Sequence, residues 1–166
     1  MPPRKSPDKL QTSLSFASDS NQESPVDERV VAYIDGGARG NPGEAGAGVY
    51  FERNGSAWRG LYRYLGRTTN NYAEYSALIE ALRYALNQGL RKLLVYADSE
   101  LLVKQMVGSY RVKHPVLQEL HAQARVLVHR FERFEIHHVP REKNHLADTL
   151  ANRAQDLHAS GEEHYS

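Results

Sequence analysis

The chain has 166 residues, of which 40% are hydrophobic and 25% are charged, and its net charge at pH 7 is +1. This length and composition are those of one ordinary globular domain rather than of a collagen-like or membrane-spanning protein. The absence of cysteine excludes a disulfide framework, a thiol nucleophile and cysteine-based metal sites, so any metal ion must be held by carboxylates or histidines.

Both ends of the chain are expected to lie outside the folded domain. Residues 1 to about 28 contain six Ser and four Pro and show no hydrophobic periodicity, which predicts a disordered tail. Because this tail lacks the continuous apolar run of a signal peptide, we expect a cytoplasmic protein without membrane association. Residues 159–166 are expected to fray as well, so the predicted domain spans residues 29–158.

A meander of three strands is predicted in the first half of the domain. The apolar, β-rich run 30–34 is typical of a buried strand, and it ends at Asp35 and the turn-forming Gly36-Gly37. Residues 45–52 and 57–65 are predicted to form two more strands around a turn at 53–56.

Helices and strands alternate in the second half. Apolar residues at helical spacing predict a helix that begins near residue 71, with Thr69 or Asn70 as its N-cap, and that closes at Gly89. The remaining predicted elements are, in order, a strand over 92–97, a helix over 99–107, a longer helix after residue 115, a strand over 134–139, a turn over 140–144 and a last helix capped by Asn144.

This order predicts an α/β fold. Strands joined by helical crossovers pair in parallel and the meander pairs antiparallel, so we expect a five-stranded mixed sheet with helices packed on it. Ligands bind to such folds at the carboxyl ends of the parallel strands. Asp35 and Asp98 both lie at such ends.

Four acidic residues stand where they can converge on one edge of the sheet. Asp35 and Asp98 end two strands, Glu74 is predicted in the first turn of the first helix, and Asp148 in the first turn of the last. Glu74 is on the stripe that faces the sheet, and no Lys or Arg stands at helical spacing to pair with it. Bound Mg²⁺ is therefore a candidate partner, because this hard cation takes oxygen ligands.

Each acid also has an ordinary structural interpretation. Carboxylates in a first helical turn stabilise the helix dipole, an Asp before Gly-Gly is a common turn residue, and Asp98 before Ser99 is an N-cap candidate. A shared metal site is the hypothesis that accounts for all four positions together. Two ions at such a cluster perform in-line phosphoryl transfer, so the cluster indicates phosphodiester hydrolysis.

Four sequence blocks together resemble type 1 ribonuclease H, and the likeness extends over about residues 29–157. The blocks are Asp35-Gly-Gly-Ala-Arg-Gly-Asn-Pro-Gly43, Thr68-Thr-Asn-Asn-Tyr-Ala-Glu74, Tyr96-Ala-Asp-Ser99, and Val139-Pro-Arg-Glu-Lys-Asn144 with Ala147-Asp148. The resemblance implies a ribonuclease H-like fold and an endonuclease that cleaves the RNA strand of RNA–DNA hybrids with two Mg²⁺ ions, leaving 5′-phosphate and 3′-hydroxyl ends. Mn²⁺ is expected to substitute.

The resemblance also implies roles for individual residues. The metal-binding, catalytic acids of that family match Asp35, Glu74, Asp98 and Asp148. Asn41 and Asn70 match residues that touch the minor groove of the hybrid, where 2′-hydroxyl groups mark the RNA strand. Arg67 and Thr69 match part of a pocket for a phosphate of the DNA strand, and Asn71 neighbours them.

The sequence departs from the longer members of that family in two places. The loop between Val139 and Asp148 is too short for the mobile catalytic His of those members, which leaves His145 as a candidate for proton transfer or product release, or as a solvated residue. Segment 108–114 is too short for a Trp-bearing basic protrusion, so hybrid affinity must rest on other groups. The candidates are Arg111, Lys113, His114, Arg141 and Lys143.

Two alternatives stay open at this point. The first is a catalytically silent nucleic-acid-binding module on the same fold, although a module that only binds phosphate has no need for clustered acids. The second keeps the chemistry and adds double-stranded RNA as a substrate, because the A-form shape of that duplex is close to that of a hybrid. We expect the protein to act as a monomer.

Overall fold

A computed structural model of the chain describes residues 28–166. The predicted disordered tail, apart from its last residue, lies outside the described residues. None of the helices in the described part is long and apolar enough to cross a membrane.

Six strands form one sheet, in the spatial order β5-β4-β1-β2-β3-β6. The strands are β1 (Val30–Arg39), β2 (Gly43–Arg53), β3 (Ser56–Thr68), β4 (Lys92–Ala97), β5 (Arg133–His138) and β6 (Gly161–His164). The helices are α1 (Asn70–Asn87), α2 (Glu100–Met106), α3 (Pro115–Val128) and α4 (His145–Leu157), with a short 3-10 turn at Arg141–Lys143 before α4.

The predicted mixture of parallel and antiparallel pairing is confirmed. Strand β1 pairs antiparallel with β2 on one side and parallel with β4 on the other, and β4 pairs parallel with β5. In the register of the parallel pair, Ile34 stands opposite Ala97. The next residues are Asp35, which stays within β1 opposite Gly48 of β2, and Asp98, which directly follows β4, so the two acids lie side by side.

The prediction of five strands and a frayed C-terminus was wrong. Residues Gly161–His164 form β6, which pairs antiparallel with β3 and becomes the edge strand of the sheet. Arg153 on α4 forms an ion pair with Glu163, and the Tyr165 N–H donates to the Trp58 carbonyl oxygen at 3.0 Å. A Gly-Glu-Glu-His segment has no apolar alternation, so these tertiary contacts had no signal in the local sequence.

The first hairpin is also longer than predicted. The first strand was expected to end at Asp35 and the turn Gly36-Gly37, yet β1 continues through these residues to Arg39, which stands opposite Glu44 of β2. The ladder continues because each additional backbone pair satisfies an N–H or a C=O group that a loop would have left to water.

The core lies between the sheet and helices on one of its faces. Val30, Ala32 and Ile34 alternate inward on β1 and are almost completely buried, and Leu78 and Leu82 of α1 pack against them. Helix α3 packs on α1, while α4 covers the opposite face of β2 and β3. The two layers thereby hold the starts of α1 and α4 close to Asp35 and Asp98.

Two glycines of β2 allow α4 to lie directly on the strand. A Cβ atom added to Gly48 would stand 2.3 Å from the carbonyl oxygen of Ala147, and one added to Gly46 would stand 2.6 Å from that of Ala151. Real Cβ atoms do not approach so closely, so a side chain at either position would displace the helix backbone. Asp148 follows Ala147 and moves with it.

We predict that Gly48→Ala lowers the free energy of unfolding by about 2 kcal/mol or more, because the added methyl group forces α4 away from β2. Urea unfolding followed by circular dichroism measures this loss. Gly37→Ala is the matched control, since a Cβ atom there meets only the Asn70 Oδ1 atom at an ordinary 3.7 Å. Equal stability of the two variants would contradict the close-packing account.

Candidate active site

A cleft of about 570 Å³ opens beside the C-terminal half of β1 and the carboxyl end of β4. The four acids predicted from the sequence all line it: Asp35, Glu74, Asp98 and Asp148. Asn70, Asn71, Arg39, Arg141 and Asn152 contribute polar groups to the same walls. The structure therefore brings the four acids together as predicted, but the prediction that Asp35 ends its strand was wrong, because β1 continues past it to Arg39.

Asp35 is the acid most strongly affected by its surroundings. Burial raises its pKa from 3.8 to about 8, and the negative charges of Asp98, Asp148 and Glu74 act in the same direction. A protonated Asp35 carboxyl also shares a hydrogen bond with Asp148. Without a cation in the cleft, the cheapest way to relieve the repulsion is thus for Asp35 to hold a proton.

Glu74 approaches Asp35 because α1 lies very close to β1. A Cβ atom added to Gly36 would stand 2.2 Å from the carbonyl oxygen of Ala73, so only glycine fits at this crossing. Helix α1 begins at Asn70, with Thr69 as the N-cap, and its first turn contains no acid. The expectation that Glu74 lies in the first turn was therefore wrong, and helix-dipole stabilisation is a weaker explanation for it.

The surroundings of Glu74 raise its pKa to about 7. Burial is the main cause, and the charge of Asp98 adds to it. Two groups oppose this rise: the Ser99 hydroxyl, which hydrogen-bonds to the carboxylate, and the positive charge of Arg141. No Lys or Arg stands at helical spacing from Glu74, and the cation that acts on it comes instead from the turn after β5, 67 residues further along the chain.

Asn144 holds Asp98 in place. Its side chain is 1% exposed, and its Nδ2 atom donates to the Ile34 carbonyl oxygen at 2.8 Å and to Asp98 Oδ2 at 3.2 Å. Asn144 occupies the N-cap position of α4, but its side chain makes no capping hydrogen bond. The expected capping role is thus replaced by a link between β1, Asp98 and α4.

Of the substrate-binding candidates, Asn70 and Asn71 line the cleft, whereas Asn41, Arg67 and Thr69 are not among the residues that line it. Asn41 Oδ1 accepts from the Asn70 N–H at 3.0 Å, and Asn70 Oδ1 accepts from the Ala38 N–H at 2.8 Å. The two side chains thereby join the β1–β2 hairpin to the start of α1 through their oxygens. Thr69 caps α1 by accepting from the Tyr72 N–H, Arg67 is exposed on β3 opposite Glu44, and Asn71 is exposed at the cleft.

The basic residues proposed for hybrid affinity, and His145, differ in their position relative to the cleft. Arg141 lines the cleft, whereas Arg111, Lys113 and His114 lie outside it, in the exposed segment before α3. His145 is exposed at the first residue of α4 and is not among the residues that line the acidic cleft. Its role in proton transfer or product release stays a prediction.

The donor chemistry of the cleft fits divalent ions. Four carboxyl groups and amide oxygens provide hard oxygen ligands, and the raised pKa values of Asp35 and Glu74 indicate negative charge that lacks full compensation. Among residues 28–166, however, no three Asp, Glu or His side chains already form a closed ligand set for an ion. Side-chain rotation around these fixed backbone positions would have to complete such a set.

The mixed sheet, the helices on both of its faces and the acid-lined cleft beside β1 and β4 define a ribonuclease H-like domain. Residues 33–154 match the family model described as Reverse transcriptase-like. The solved structure of RNase H1 from Halobacterium salinarum superposes with a TM-score of 0.76 and 42% identity, covering 78% of this chain and 98% of that one. LC11-RNase H1 was isolated from compost and solved in complex with an RNA/DNA hybrid. It superposes with a TM-score of 0.74 and 43% identity, covering 78% of this chain and 99% of that one.

A curated relative extends the comparison to a longer protein. The bifunctional protein Rv2228c of Mycobacterium tuberculosis is 44% identical over 133 residues, which cover 79% of this chain. The chain spans 36% of the length of that relative. On these matches, the chain belongs to the type 1 ribonuclease H family of hydrolases.

The raised pKa of Asp35 predicts how stability depends on pH. Its folded-state pKa of about 8 exceeds its ordinary value of 3.8, so ionisation costs the folded protein stability as pH rises through this interval. With a chelator present, Asp35→Asn should therefore raise the free energy of unfolding at pH 9 by on the order of 1–3 kcal/mol. The gain should shrink towards pH 4. Denaturant unfolding at several pH values measures it.

Asp156→Asn is the matched control for this experiment, because Asp156 is exposed and pairs with Arg39 on the surface. Its stability should differ little from wild type across the same pH range. A gain for Asp35→Asn that does not vary with pH would contradict the assigned cause.

Proposed function

We propose that the chain is an endonuclease that hydrolyses the RNA strand of RNA–DNA hybrids. The observation that carries this proposal is the convergence of Asp35, Glu74, Asp98 and Asp148 on one open cleft. The membership of the family and the hybrid-bound structure of LC11-RNase H1 support it from outside the chain. A cleft open to solvent along the sheet edge suits a long duplex, whereas an enclosed pocket would suit a small substrate.

The four carboxylates are proposed to hold two Mg²⁺ ions, with Mn²⁺ as a substitute. Such a pair supplies an activated water and neutralises charge on the leaving oxygen of an in-line displacement. The chain keeps two of the carboxylates in position through hydrogen bonds, one from Asn144 to Asp98 and one from Ser99 to Glu74. Water adds across the P–O3′ bond, which leaves a 5′-phosphate and a 3′-hydroxyl.

Recognition of the hybrid is proposed to use the rim of the cleft. The amide nitrogens of Asn41 and Asn70 can donate to groups in the minor groove, and the 2′-hydroxyl distinguishes RNA from DNA there. The hydrogen bonds that order this rim fix the direction of both amides. Arg67 and Thr69 lie together at the end of β3 and the start of α1, where they can take a phosphate of the DNA strand, with Asn71 beside them.

Arg141 is proposed to balance the charge of Glu74 and to contact a phosphate of the RNA strand. It lines the cleft and holds the pKa of Glu74 below the value that burial alone would produce. The planar guanidinium forms paired hydrogen bonds to phosphate, which lysine cannot reproduce. Arg141 thus brings a positive charge into the cleft from the short turn before α4.

The two alternatives differ in what they require. A silent binding module gains nothing from four acids facing one another, because each adds repulsion towards phosphate. Activity on double-stranded RNA requires only that the rim tolerate 2′-hydroxyl groups on the second strand. We therefore include double-stranded RNA as a further proposed substrate. A cytoplasmic location and a monomeric state remain predictions of the sequence.

We predict that Glu74→Gln and Asp35→Asn each lower kcat on an RNA–DNA hybrid by at least about 100-fold, because each removes a carboxylate from the metal set. The measurement uses a 5′-labelled RNA strand annealed to DNA, in Mg²⁺ and then in Mn²⁺. Single-stranded RNA and duplex RNA test the substrate range.

Glu132→Gln serves as the control for the glutamate, since Glu132 is exposed and pairs with Arg91 away from the cleft. It should cleave like wild type. Binding of the hybrid by wild type without internal cuts in either metal would contradict the proposed nuclease and leave a recognition module.

We predict that Arg141→Ala shifts the acid limb of the kcat–pH profile to higher pH. Without the guanidinium the pKa of Glu74 rises, so a higher pH is needed to ionise it. Arg141→Lys should restore the position of the limb and only part of the hybrid affinity. Arg91→Ala, which removes an exposed arginine from a surface pair, should leave the profile in place. A profile unchanged by Arg141→Ala would refute the charge-balancing role.

A further inference from the structure

A second cavity lies behind the active site, on the sheet face next to the first turn of α4. It has a volume of about 120 Å³ and is separate from the acidic cleft. Its walls are two tyrosines of neighbouring strands, one acid and the turn into α4: Tyr33, Tyr50, Glu52, Lys143, Asn144, His145 and Leu146. The roles proposed above leave this cavity without an occupant.

The aromatic wall is built into the sheet. Tyr33 and Tyr50 stand opposite each other on β1 and β2, with their ring centroids 6.0 Å apart. Tyr96 on β4 stacks on the other side of Tyr33 at 5.3 Å, which limits the rotation of that ring. Aromatic side chains held on a sheet face in this way are a common surface for stacking unpaired bases.

The size of the cavity selects a single ring. An apolar cavity of about 150 Å³ accommodates benzene, so about 120 Å³ suits one six-membered ring and is small for a purine. The polar atoms then select among single rings. A pyrimidine base combines a flat face for the tyrosines with hydrogen-bonding groups on its edge.

Glu52 provides the acceptor in this cavity. It lies two residues after Tyr50 on the same face of β2, and the Tyr50 hydroxyl hydrogen-bonds to it. A carboxylate has room for further donors, and the N4 amino group of cytosine is the usual base donor for Glu. Uracil presents an oxygen at the same place. The side chains of Lys143, a cation, and His145, an N–H donor, are exposed at the mouth, where they suit a phosphate.

Asn144 gives a second, independent indication of a ligand. It lines the cavity and is 1% exposed, yet its Oδ1 atom has no hydrogen-bond partner within the described part of the chain. Its Nδ2 atom already donates to Ile34 and Asp98. A buried acceptor without a donor is costly, and a ligand or a ligand-bound water can supply that donor.

We propose that this cavity binds the base of an unpaired cytidine nucleotide, with the ring against Tyr33 and Tyr50, the N4 amino group on Glu52 and the phosphate facing Lys143 and His145. Asn144 forms a wall of the cavity and also bonds Asp98, so an occupied cavity lies one residue from the acidic cleft. The proposal goes beyond the nuclease function, and it holds or fails without any cleavage taking place.

The test is a titration of the metal-free protein with cytidine 5′-monophosphate, followed by NMR chemical shifts and by calorimetry. We expect a Kd for cytidine 5′-monophosphate on the order of 0.1–1 mM. Uridine and guanosine 5′-monophosphates should bind at least about fivefold more weakly. Tyr33→Leu should weaken the binding of cytidine 5′-monophosphate about fivefold or more. Glu52→Gln should remove the preference for cytidine over uridine, because an amide can also donate to the uracil oxygen.

Two control variants keep the result interpretable. Tyr110→Leu removes an exposed tyrosine that contacts Lys104 elsewhere on the surface, and Glu135→Gln removes an acid on β5 that pairs with His137. Both should bind like wild type, and thermal unfolding verifies that all four variants are folded. No binding up to about 10 mM, equal loss in Tyr33→Leu and Tyr110→Leu, or equal affinity for the three nucleotides would each overturn the proposal.

Discussion

The rest of the site depends on the parallel pairing of β1 with β4, in which the last paired residues directly precede Asp35 and Asp98. Because Ile34 stands opposite Ala97, Asp35 and Asp98 must lie side by side, whatever their charges. Burial and mutual repulsion then raise the pKa of Asp35 to about 8. The apolar packing of the sheet against α1 and α4 maintains this unfavourable arrangement, which is the usual relation between a rigid scaffold and a strained functional site.

Close backbone contacts carry the other two acids to the same place. Gly36 lets α1 cross β1 at Ala73, and Gly48 lets α4 lie on β2 at Ala147. The residue after each contact is an acid, Glu74 in one case and Asp148 in the other. Small residues on the strands therefore have a functional consequence, since a side chain at either glycine would move a carboxylate out of the cleft.

The short turn before α4 serves several purposes in few residues. Arg141 lines the acidic cleft and lowers the pKa of Glu74, Asn144 bonds Asp98, and Lys143 and His145 border the second cavity. A longer loop would separate these groups. In this chain the turn thus connects the acidic cleft to the tyrosine face of the sheet through one buried asparagine.

Local patterns in the sequence were sufficient for the order of strands and helices, for an N-cap at Thr69 or Asn70 and for the four acids, because periodicity and chain order are properties of neighbouring residues. Nothing local indicated β6, whose polar residues are held by partners on β3 and α4. The same is true of the contact between Arg141 and Glu74 and of the Asn144 link to Asp98. By itself the sequence determined which four acids meet in one cleft. Only the tertiary structure decided their charges and partners, since burial and contacts between distant segments exist only once the chain is folded.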